Sequence, residues 1–412
     1  MLVIAAPGQG AQTPGFLAPW LELPGVAERI GAWSELAGCD LIGLGTTGTA
    51  DEIRDTAVAQ PLLVAAALAA AGALGVGPDP AAGHGGQPSP HGHHGQIAAG
   101  HSVGELAAGA IAGVLSPADA MRLVGVRGRA MAQAAAARAT SMTAVLGGEE
   151  AEVLARIAAH GLTPANRNGS GQIVAAGTAE QLAGFAADPP PRTRLIPLKV
   201  AGAFHTPHMA PAVAALRGAA AAITVSDPVM AVLSNADGAV VRTGADWMDR
   251  ICAQVSAPVR WDSCMTEMDA LGATAFVELP PAGTLTGLAK RGLPGVQALA
   301  MKAPGDIVRA MALLAEHADG HSDHHAPDWR LLVAPLAGTF RSPQAPGGPG
   351  ARVGSGAELG RVEMRGGSHL VAADFPATII EWLVEDGDPV NLGQPLVRLQ
   401  PAVGHGQEGQ RH

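Results

Sequence analysis

The stretch Gly100-His101-Ser102-Val103-Gly104-Glu105 sets a serine between two glycines, where an apolar run gives way to small residues. Residues 96–99 predict a short strand, and residues 105–112 predict a helix that can pack close to a sheet. In such a strand-turn-helix the serine hydroxyl is exposed, with backbone N–H groups beside it. The stretch predicts a nucleophile in an α/β fold, although an ordinary glycine turn is the alternative in a chain with 55 glycines.

Composition indicates a globular protein of two or three domains. The chain has 412 residues, of which 48% are hydrophobic and 15% charged. A net charge of −10 argues against nucleic acid as a partner. Three cysteines without paired spacing indicate reduced thiols in a cytoplasm, and the start of the chain has no basic leader of a secretory signal.

One uncharged segment is long enough to be compared with a membrane span. Residues 56–77 are rich in alanine and glycine and contain Gln60-Pro61, which we expect to interrupt a helix. The segment therefore predicts a buried helix of about 14 residues and no contact with a membrane.

The order of predicted elements indicates a small domain inserted into a larger one. Residues 138–200 follow the order βαββαβ, which is that of a ferredoxin-like unit. The flanking segments, 1–137 and 201–315, indicate one large α/β domain. Loop-like composition predicts a linker at 316–328 and a disordered tail at 401–412.

A histidine-rich loop precedes the strand that leads to the serine. Residues 77–95 contain four prolines and four histidines, which are His84, His91, His93 and His94. No carboxylate or cysteine accompanies them at ligand spacing, so the composition favours a disordered surface insertion over a metal site.

A serine nucleophile needs a base, and His205 has the best context among the 15 histidines. It follows an apolar turn, residues 200–204, and precedes Thr206-Pro207, where a strand ends and the chain changes direction. The alternative is a histidine with a structural role at the end of a strand.

Arg127 lies on the apolar side of a predicted helix. The helix begins after Ser116, and its apolar stripe consists of Met121, Val124, Gly128 and Met131. A guanidinium on a buried face needs an anion, either a protein carboxylate or a substrate carboxylate. Spacing alone does not choose between the two.

Taken together, these motifs resemble the malonyl-CoA:acyl carrier protein transacylase family through residues 1 to about 313. The matching pieces, in order, are Pro-Gly-Gln-Gly-Ala-Gln at 7–12, Gln60-Pro61, the serine stretch at 100–105, Arg127-Gly128, Asn166 with Asn168 and Gln-Ile-Val at 172–174, Gly-Ala-Phe-His-Thr-Pro at 202–207, Gln254 with Pro-Val-Arg-Trp at 258–261, and Leu-Thr-Gly-Leu at 285–288 followed by Lys290-Arg291. The resemblance implies an α/β hydrolase-like large domain that carries an inserted ferredoxin-like subdomain.

The resemblance also implies roles for site residues. Ser102 would be the nucleophile and His205 the general base, oriented by the backbone carbonyl of Gln254 where a hydrolase triad would use an aspartate. Malonyl-CoA would acylate the serine, and the phosphopantetheine thiol of the carrier protein would then take the acyl group. No bound cofactor is implied.

Further implied residues surround this dyad. The backbone N–H groups of Gln9 and Val103 would form the oxyanion hole, and Arg127 would bind the free carboxylate of malonate. Phe204, together with Val103, resembles the pattern that selects malonyl over methylmalonyl groups. Lys290 and Arg291 belong to a basic surface that would meet the carrier.

Residues 329–400 predict a separate all-β domain. Two similar halves with Asp-Gly turns indicate a flattened barrel, and they resemble the biotinyl domain of the acetyl-CoA carboxylase carrier protein, a biotinyl/lipoyl-like fold. Gly366 stands where the biotin-bearing lysine would be, and Arg365 offers no acceptor amine. The three lysines, at positions 199, 290 and 302, lie elsewhere, so attached biotin is excluded. A docking module for a carboxylase or synthase component and a structural appendage remain as hypotheses.

The sequence thus predicts a cytoplasmic malonyl transferase of fatty acid or polyketide synthesis. A serine hydrolase of acyl thioesters could use the same dyad if water reached the acyl-enzyme. A non-catalytic scaffold is the third hypothesis, and it does not explain why Ser102, His205 and Arg127 are all present.

Overall fold

A computed structural model describes residues 1–77, 95–318, 330–343, 347–364 and 366–401. These residues form two compact units. The first contains the described residues of Met1–Val145, all of Ala151–Pro189 and the described residues of 195–318. The second contains Leu146–Glu150, Pro190–Arg194 and the described residues of 330–401.

The helices are α1 (Ala18–Leu21), α2 (Val26–Ala37), α3 (Leu41–Thr47), α4 (Thr56–Ala73), α5 (Gly104–Ile111), α6 (Pro117–Ala136), α7 (Glu150–Ala159), α8 (Ala179–Ala187), α9 (Ala210–Ala220), α10 (Gly244–Gln254), α11 (Trp261–Ala270), α12 (Thr284–Gly292) and α13 (Ile307–Ala318). The strands are β1 (Leu2–Ala6), β2 (Gln96–Gly100), β3 (Thr140–Gly147), β4 (Thr163–Gly169), β5 (Gln172–Thr178), β6 (Thr193–Pro197), β7 (Ala231–Leu233), β8 (Val240–Val241), β9 (Val259–Arg260), β10 (Ala275–Glu278), β11 (Gln297–Ala300), β12 (Arg330–Val333), β13 (Gly338–Arg341), β14 (Arg352–Val353), β15 (Glu358–Met364), β16 (Gly367–Ala372), β17 (Ala377–Trp382), β18 (Pro389–Val390) and β19 (Pro395–Pro401).

A six-stranded sheet organises the first unit. Its order is β11-β10-β1-β2-β7-β8; the first five strands are parallel, and β8 runs antiparallel to β7. All residues of β1 and β2 are buried, as expected for parallel strands covered on both faces. The carboxyl ends of parallel strands meet at one edge. That edge therefore carries Pro7, His101 and Ser234, which directly follow β1, β2 and β7.

Helix α4 is a core helix of this unit. It is long and apolar enough to cross a membrane, but 78% of it is buried inside the structure. The expected interruption at Gln60-Pro61 is wrong, because α4 begins at Thr56 and continues through Pro61 for 18 residues. Asp55 caps it by accepting a hydrogen bond from the Ala57 N–H at 2.8 Å. Burial along the helix outweighs the one hydrogen bond that proline cannot donate.

The predicted order βαββαβ between residues 138 and 200 is confirmed as β3-α7-β4-β5-α8-β6. Its sheet has the order β6-β3-β5-β4-β9, with β4 antiparallel to β5 and parallel to β9. The fifth strand, Val259–Arg260, lies beyond the predicted insertion. It was not predicted, because two residues give no periodicity by which a strand can be recognised in the sequence.

The described residues of 330–401 form only strands. They make two four-stranded sheets, of order β12-β19-β17-β14 and β16-β15-β13-β18, and their pairs are antiparallel. Their common core includes Phe340, Leu396 and Val397. Strands β15 and β16 form a hairpin in which Met364 is opposite Gly367.

Three predicted segments extend beyond the residues that the structure describes. The predicted linker starts too early, because α13 continues to Ala318, and residues 319–329 lie outside the described part of the chain. Residues 78–94 of the histidine-rich loop and 402–412 of the tail also lie outside it, whereas Pro401 belongs to β19.

Candidate active site

The turn at Ser102 is strained and tightly packed. Ser102 has φ +54°, in the left-handed region that costs free energy for a residue with a side chain. A Cβ on Gly100 would lie 2.0 Å from the carbonyl carbon of Gly104, and one on Gly104 would lie 2.2 Å from the carbonyl oxygen of Ala6. Both flanking glycines are therefore needed for β2 and α5 to meet at so sharp an angle.

Ser102 and His205 are in contact. The Ser102 Oγ lies 2.6 Å from the His205 Nε2, and the His205 Nδ1 lies 3.0 Å from the backbone oxygen of Gln254. A carbonyl oxygen can only accept, so Nδ1 carries the proton and Nε2 is left to accept the serine proton. Burial, followed by the nearby charge of Arg127, lowers the pKa of His205 to about 3. The imidazole is therefore a neutral base at physiological pH.

Arg127 is held by neutral amides. Its side chain lies on α6 and is 2% exposed. One terminal nitrogen donates to Gln60 Oε1 at 2.5 Å, and the other donates to Gln254 Oε1 at 2.7 Å and to Ser102 Oγ at 3.4 Å. Burial lowers its pKa to about 10, so it remains charged at neutral pH. Among the described residues no carboxylate forms a direct ion pair with it, which leaves a cation beside the serine without a directly bonded anion.

The loop after β1 lies against the serine turn. A Cβ on Gly8 would stand 2.9 Å from the backbone oxygen and Nδ1 of His101. The Gln9 side chain donates to Thr56 Oγ1 at 3.3 Å. Within the described ranges, the backbone N–H groups of Gln9 and Val103 have no acceptor in the protein. Two unsatisfied donors at this turn are available to a ligand oxygen.

Asn235 holds the turn and was not found by sequence reasoning. Its Oδ1 accepts from the Ser102 N–H at 2.7 Å, and its Nδ2 donates to the Gly100 oxygen at 2.8 Å. Strand β7, three residues long, is too short to be predicted. The available signal is the polar pair Ser234-Asn235 after an apolar run, a pattern typical of the carboxyl edge of a parallel sheet.

Glu105 is the second site residue that the sequence did not reveal. It is 2% exposed, its Oε1 accepts from the Asn235 N–H at 2.8 Å, and its Oε2 accepts from Gln254 Nε2. The same Nε2 donates to the Ser102 backbone oxygen at 2.9 Å. Burial raises the pKa of Glu105 to about 7. As the last residue of GHSVGE, it was recognised only as part of a motif.

Two further residues of the quoted motifs are Phe204 and His101, which directly precede the base and the nucleophile in the chain. Phe204 directly precedes His205 and is buried. His101 is half-buried, and its Nε2 lies 2.9 Å from Asn168 Oδ1. In the part of the chain that the structure describes, no group of three or more histidine, cysteine, aspartate or glutamate side chains could hold a metal ion.

Comparison with known proteins identifies the family. Residues 89–309 match the acyl transferase domain family. The malonyl CoA-acyl carrier protein transacylase of Mycobacterium tuberculosis H37Rv is 50% identical over 313 residues, which cover 74% of this chain and 98% of that protein. The corresponding protein of Escherichia coli K12 is 33% identical, with 74% and 97% covered.

Solved structures that resemble the chain indicate the same family. A crystal structure of MCAT from Mycobacterium tuberculosis matches with a TM-score of 0.70 and 50% identity, covering 75% of this chain and 99% of that one. A malonyl-transacylase in complex with a type II PKS acyl-carrier protein matches with a TM-score of 0.66 and 27% identity, covering 76% and 99%. The chain therefore belongs to the acyltransferases of mixed α/β fold, in the family of the malonyl CoA-acyl carrier protein transacylases.

Proposed function

We propose that the protein transfers the malonyl group of malonyl-CoA to the phosphopantetheine thiol of an acyl carrier protein, through an ester on Ser102. The observation that carries the proposal is the 2.6 Å contact of Ser102 with a neutral His205 next to Arg127, a cation held only by amides and the serine hydroxyl. Coenzyme A and phosphopantetheine enter as parts of the substrates, so the reaction uses no resident cofactor.

In the first half-reaction His205 Nε2 takes the Ser102 proton while Oγ attacks the thioester carbonyl. The N–H groups of Gln9 and Val103 stabilise the oxyanion that forms. When the tetrahedral intermediate collapses, the C–S bond breaks and the CoA sulfur takes the proton from His205. The products are CoA, a malonyl ester on Ser102 and a neutral histidine.

The second half-reaction reverses the roles. The carrier thiol gives its proton to His205 and attacks the ester carbonyl, and the Ser102 oxygen leaves with that proton. The backbone carbonyl of Gln254 keeps the Nδ1 proton in place throughout, since its 3.0 Å contact fixes the tautomer. An aspartate is not required for this purpose.

Arg127 binds the free carboxylate of the malonyl group. Each terminal nitrogen has two N–H groups, one of which is already bonded to a glutamine oxygen. A carboxylate would take the others and replace the long 3.4 Å contact with the Ser102 hydroxyl. Phe204, beside the base, and Val103, beside the nucleophile, favour malonyl over a bulkier methylmalonyl group.

The setting of the reaction is fatty acid or polyketide synthesis in the cytoplasm. Cys39, Cys252 and Cys264 are free thiols, which suits a reducing compartment. The carrier protein would meet a basic surface that includes Lys290 and Arg291 at the end of α12.

For residues 329–400 we propose a biotinyl-like domain that has lost its attachment site and serves to dock a carboxylase or synthase component. The proposal is supported by two antiparallel four-stranded sheets and by a hairpin, β15 with β16, that carries no lysine. Met364 and Leu370 on this hairpin are 49% and 46% exposed and lie on its two opposite faces, so each face offers an apolar side chain for contact.

The nucleophile can be tested by intact mass after incubation with malonyl-CoA. We expect a malonyl adduct on the native protein and on a control variant, Ser34→Ala, and none on Ser102→Ala, because Ser102 Oγ lies 2.6 Å from the base His205 Nε2. Holo carrier protein should remove the adduct much faster than water. Removal by water at the same rate would favour the thioester hydrolase, and an adduct on Ser102→Ala would refute the assigned nucleophile.

The carboxylate site can be tested with Arg127→Ala. Its preference for malonyl-CoA over acetyl-CoA, measured as the ratio of kcat/KM values, should fall by about 1–3 kcal/mol, or roughly 5- to 150-fold, because a charged hydrogen-bonded partner is lost. Arg122→Ala is a matched control, since Arg122 lies on the same helix, is 53% exposed and pairs with Asp119. An unchanged preference in Arg127→Ala would contradict the assignment.

The docking role can be tested by pull-down from a lysate with the full chain as bait. We expect a carboxylase or synthase component to be recovered with the native chain and lost with Met364→Asp or Leu370→Asp, since a charge in place of an exposed apolar side chain opposes its burial in an interface. If neither component is recovered with the native chain, the domain is a structural appendage.

A further inference from the structure

We propose that Glu105 is a positioning residue for the transfer reaction: its carboxylate fixes the Gln254 carboxamide, which in turn holds Arg127 and the carbonyl that orients His205. The inference rests on the proposed function, since it concerns the same site. Glu105 itself lies behind the reacting atoms and acts through Gln254.

The contacts converge on one residue. Gln254, the last residue of α10, is 4% exposed. Its Oε1 accepts from Arg127 at 2.7 Å, its Nε2 donates to Glu105 and to the Ser102 oxygen, and its backbone oxygen lies 3.0 Å from His205 Nδ1. A displacement of this residue would therefore reach the carboxylate site, the nucleophile turn and the base together.

The two charges on either side of Gln254 specify its orientation. A guanidinium has only donors and an ionised carboxylate only acceptors, so the amide oxygen must face Arg127 and the amide nitrogen must face Glu105. The reversed amide would place donor against donor and acceptor against acceptor. Glu105 is in turn fixed by the Asn235 N–H at 2.8 Å.

The Glu105 carboxylate also stabilises the buried positive charge of Arg127 without direct contact. Arg127 and Glu105 are both 2% exposed, and the amide between them separates the pair while linking it by hydrogen bonds at both ends. A direct ion pair would occupy the guanidinium and compete with the substrate carboxylate. The intervening amide lets Arg127 remain charged and still accept an anion.

This arrangement makes catalysis sensitive to the protonation of Glu105, whose pKa burial raises to about 7. The groups that act on it are the charges of Arg127 and Arg250 and the hydrogen bonds from Asn235 and Gln254; the Cys264 thiol also interacts with it. A protonated Glu105 could donate to the amide oxygen and release the fixed orientation. The rate should therefore fall as pH drops below about 7. With a pKa of about 3, His205 does not account for this loss.

The test is a double-mutant cycle with Glu105→Gln, Gln254→Met and the double variant. Gln254→Met keeps the backbone carbonyl and removes the amide. Two rates are measured between pH 5.5 and 8.5. One is malonylation of Ser102 by malonyl-CoA. The other is transfer of the diisopropylphosphoryl group of diisopropyl fluorophosphate to Ser102 Oγ with loss of fluoride, which reports the nucleophile without malonyl chemistry. Glu278→Gln is the matched control, because Glu278 is fully buried and its described hydrogen bonds go only to Gly283, Leu285 and Thr286.

We expect Glu105→Gln to slow both reactions about tenfold at pH 8 and to remove the loss of rate below pH 7. In the Gln254→Met background the same change should alter either rate less than about twofold. Glu278→Gln should still lose rate at low pH, and Gln254→Met should slow both reactions in Glu278→Gln as much as it does in the native protein.

Several results would overturn the inference. Multiplicative effects of the two substitutions, a low-pH loss of rate that persists in Glu105→Gln, or its disappearance in Glu278→Gln would each show that Glu105 is only structural. If the protein reacts with the fluorophosphate and the two substitutions are not multiplicative in that rate, but the protein is not malonylated, the proposed function fails and the positioning role stands. If it is malonylated with multiplicative effects, the reverse holds.

Discussion

The site depends on a positive charge that is kept away from water. Arg127 is almost fully buried, and removal of a guanidinium from water costs several kcal/mol unless its N–H groups find partners. The partners are the side-chain oxygens of Gln60 and Gln254, which solvate the charge without neutralising it. Burial, together with the same charge, lowers the pKa of His205 and keeps the imidazole neutral beside the serine. A single buried cation thus supports both anion binding and base catalysis in this account.

The parallel sheet brings these groups together. Strands β1, β2 and β7 end at one edge, so the loop at Gly8, the turn at Ser102 and the side chain of Asn235 meet there although they are far apart in sequence. The strained φ of Ser102 is maintained because Asn235 bonds both the Ser102 N–H and the Gly100 oxygen. The free energy that the strained serine costs is offset by the packing around the site and not by the serine itself.

Local patterns predicted much of this site. The glycines around Ser102, the turn at His205 and the position of Arg127 on the stripe of α6 are features of short segments, and the structure brings these three side chains together. Asn235 and the side chain of Glu105 were not predicted. The site residues that they bond are 130 or more residues away in the chain, so no spacing could reveal the contacts. The course of α4 through Pro61 and the fifth strand at Val259–Arg260 likewise depend on tertiary burial and pairing.

Binding of the substrate carboxylate by Arg127 is the interaction on which malonyl recognition depends in this mechanism. It is tested most directly by a crystal structure of the protein after reaction with malonyl-CoA. We predict an ester on Ser102 whose free carboxylate lies within about 3.2 Å of the terminal nitrogens of Arg127, with both glutamine contacts retained. An ester whose carboxylate points to solvent, with Arg127 bonded as before to Gln60 and Gln254 alone, would contradict the account.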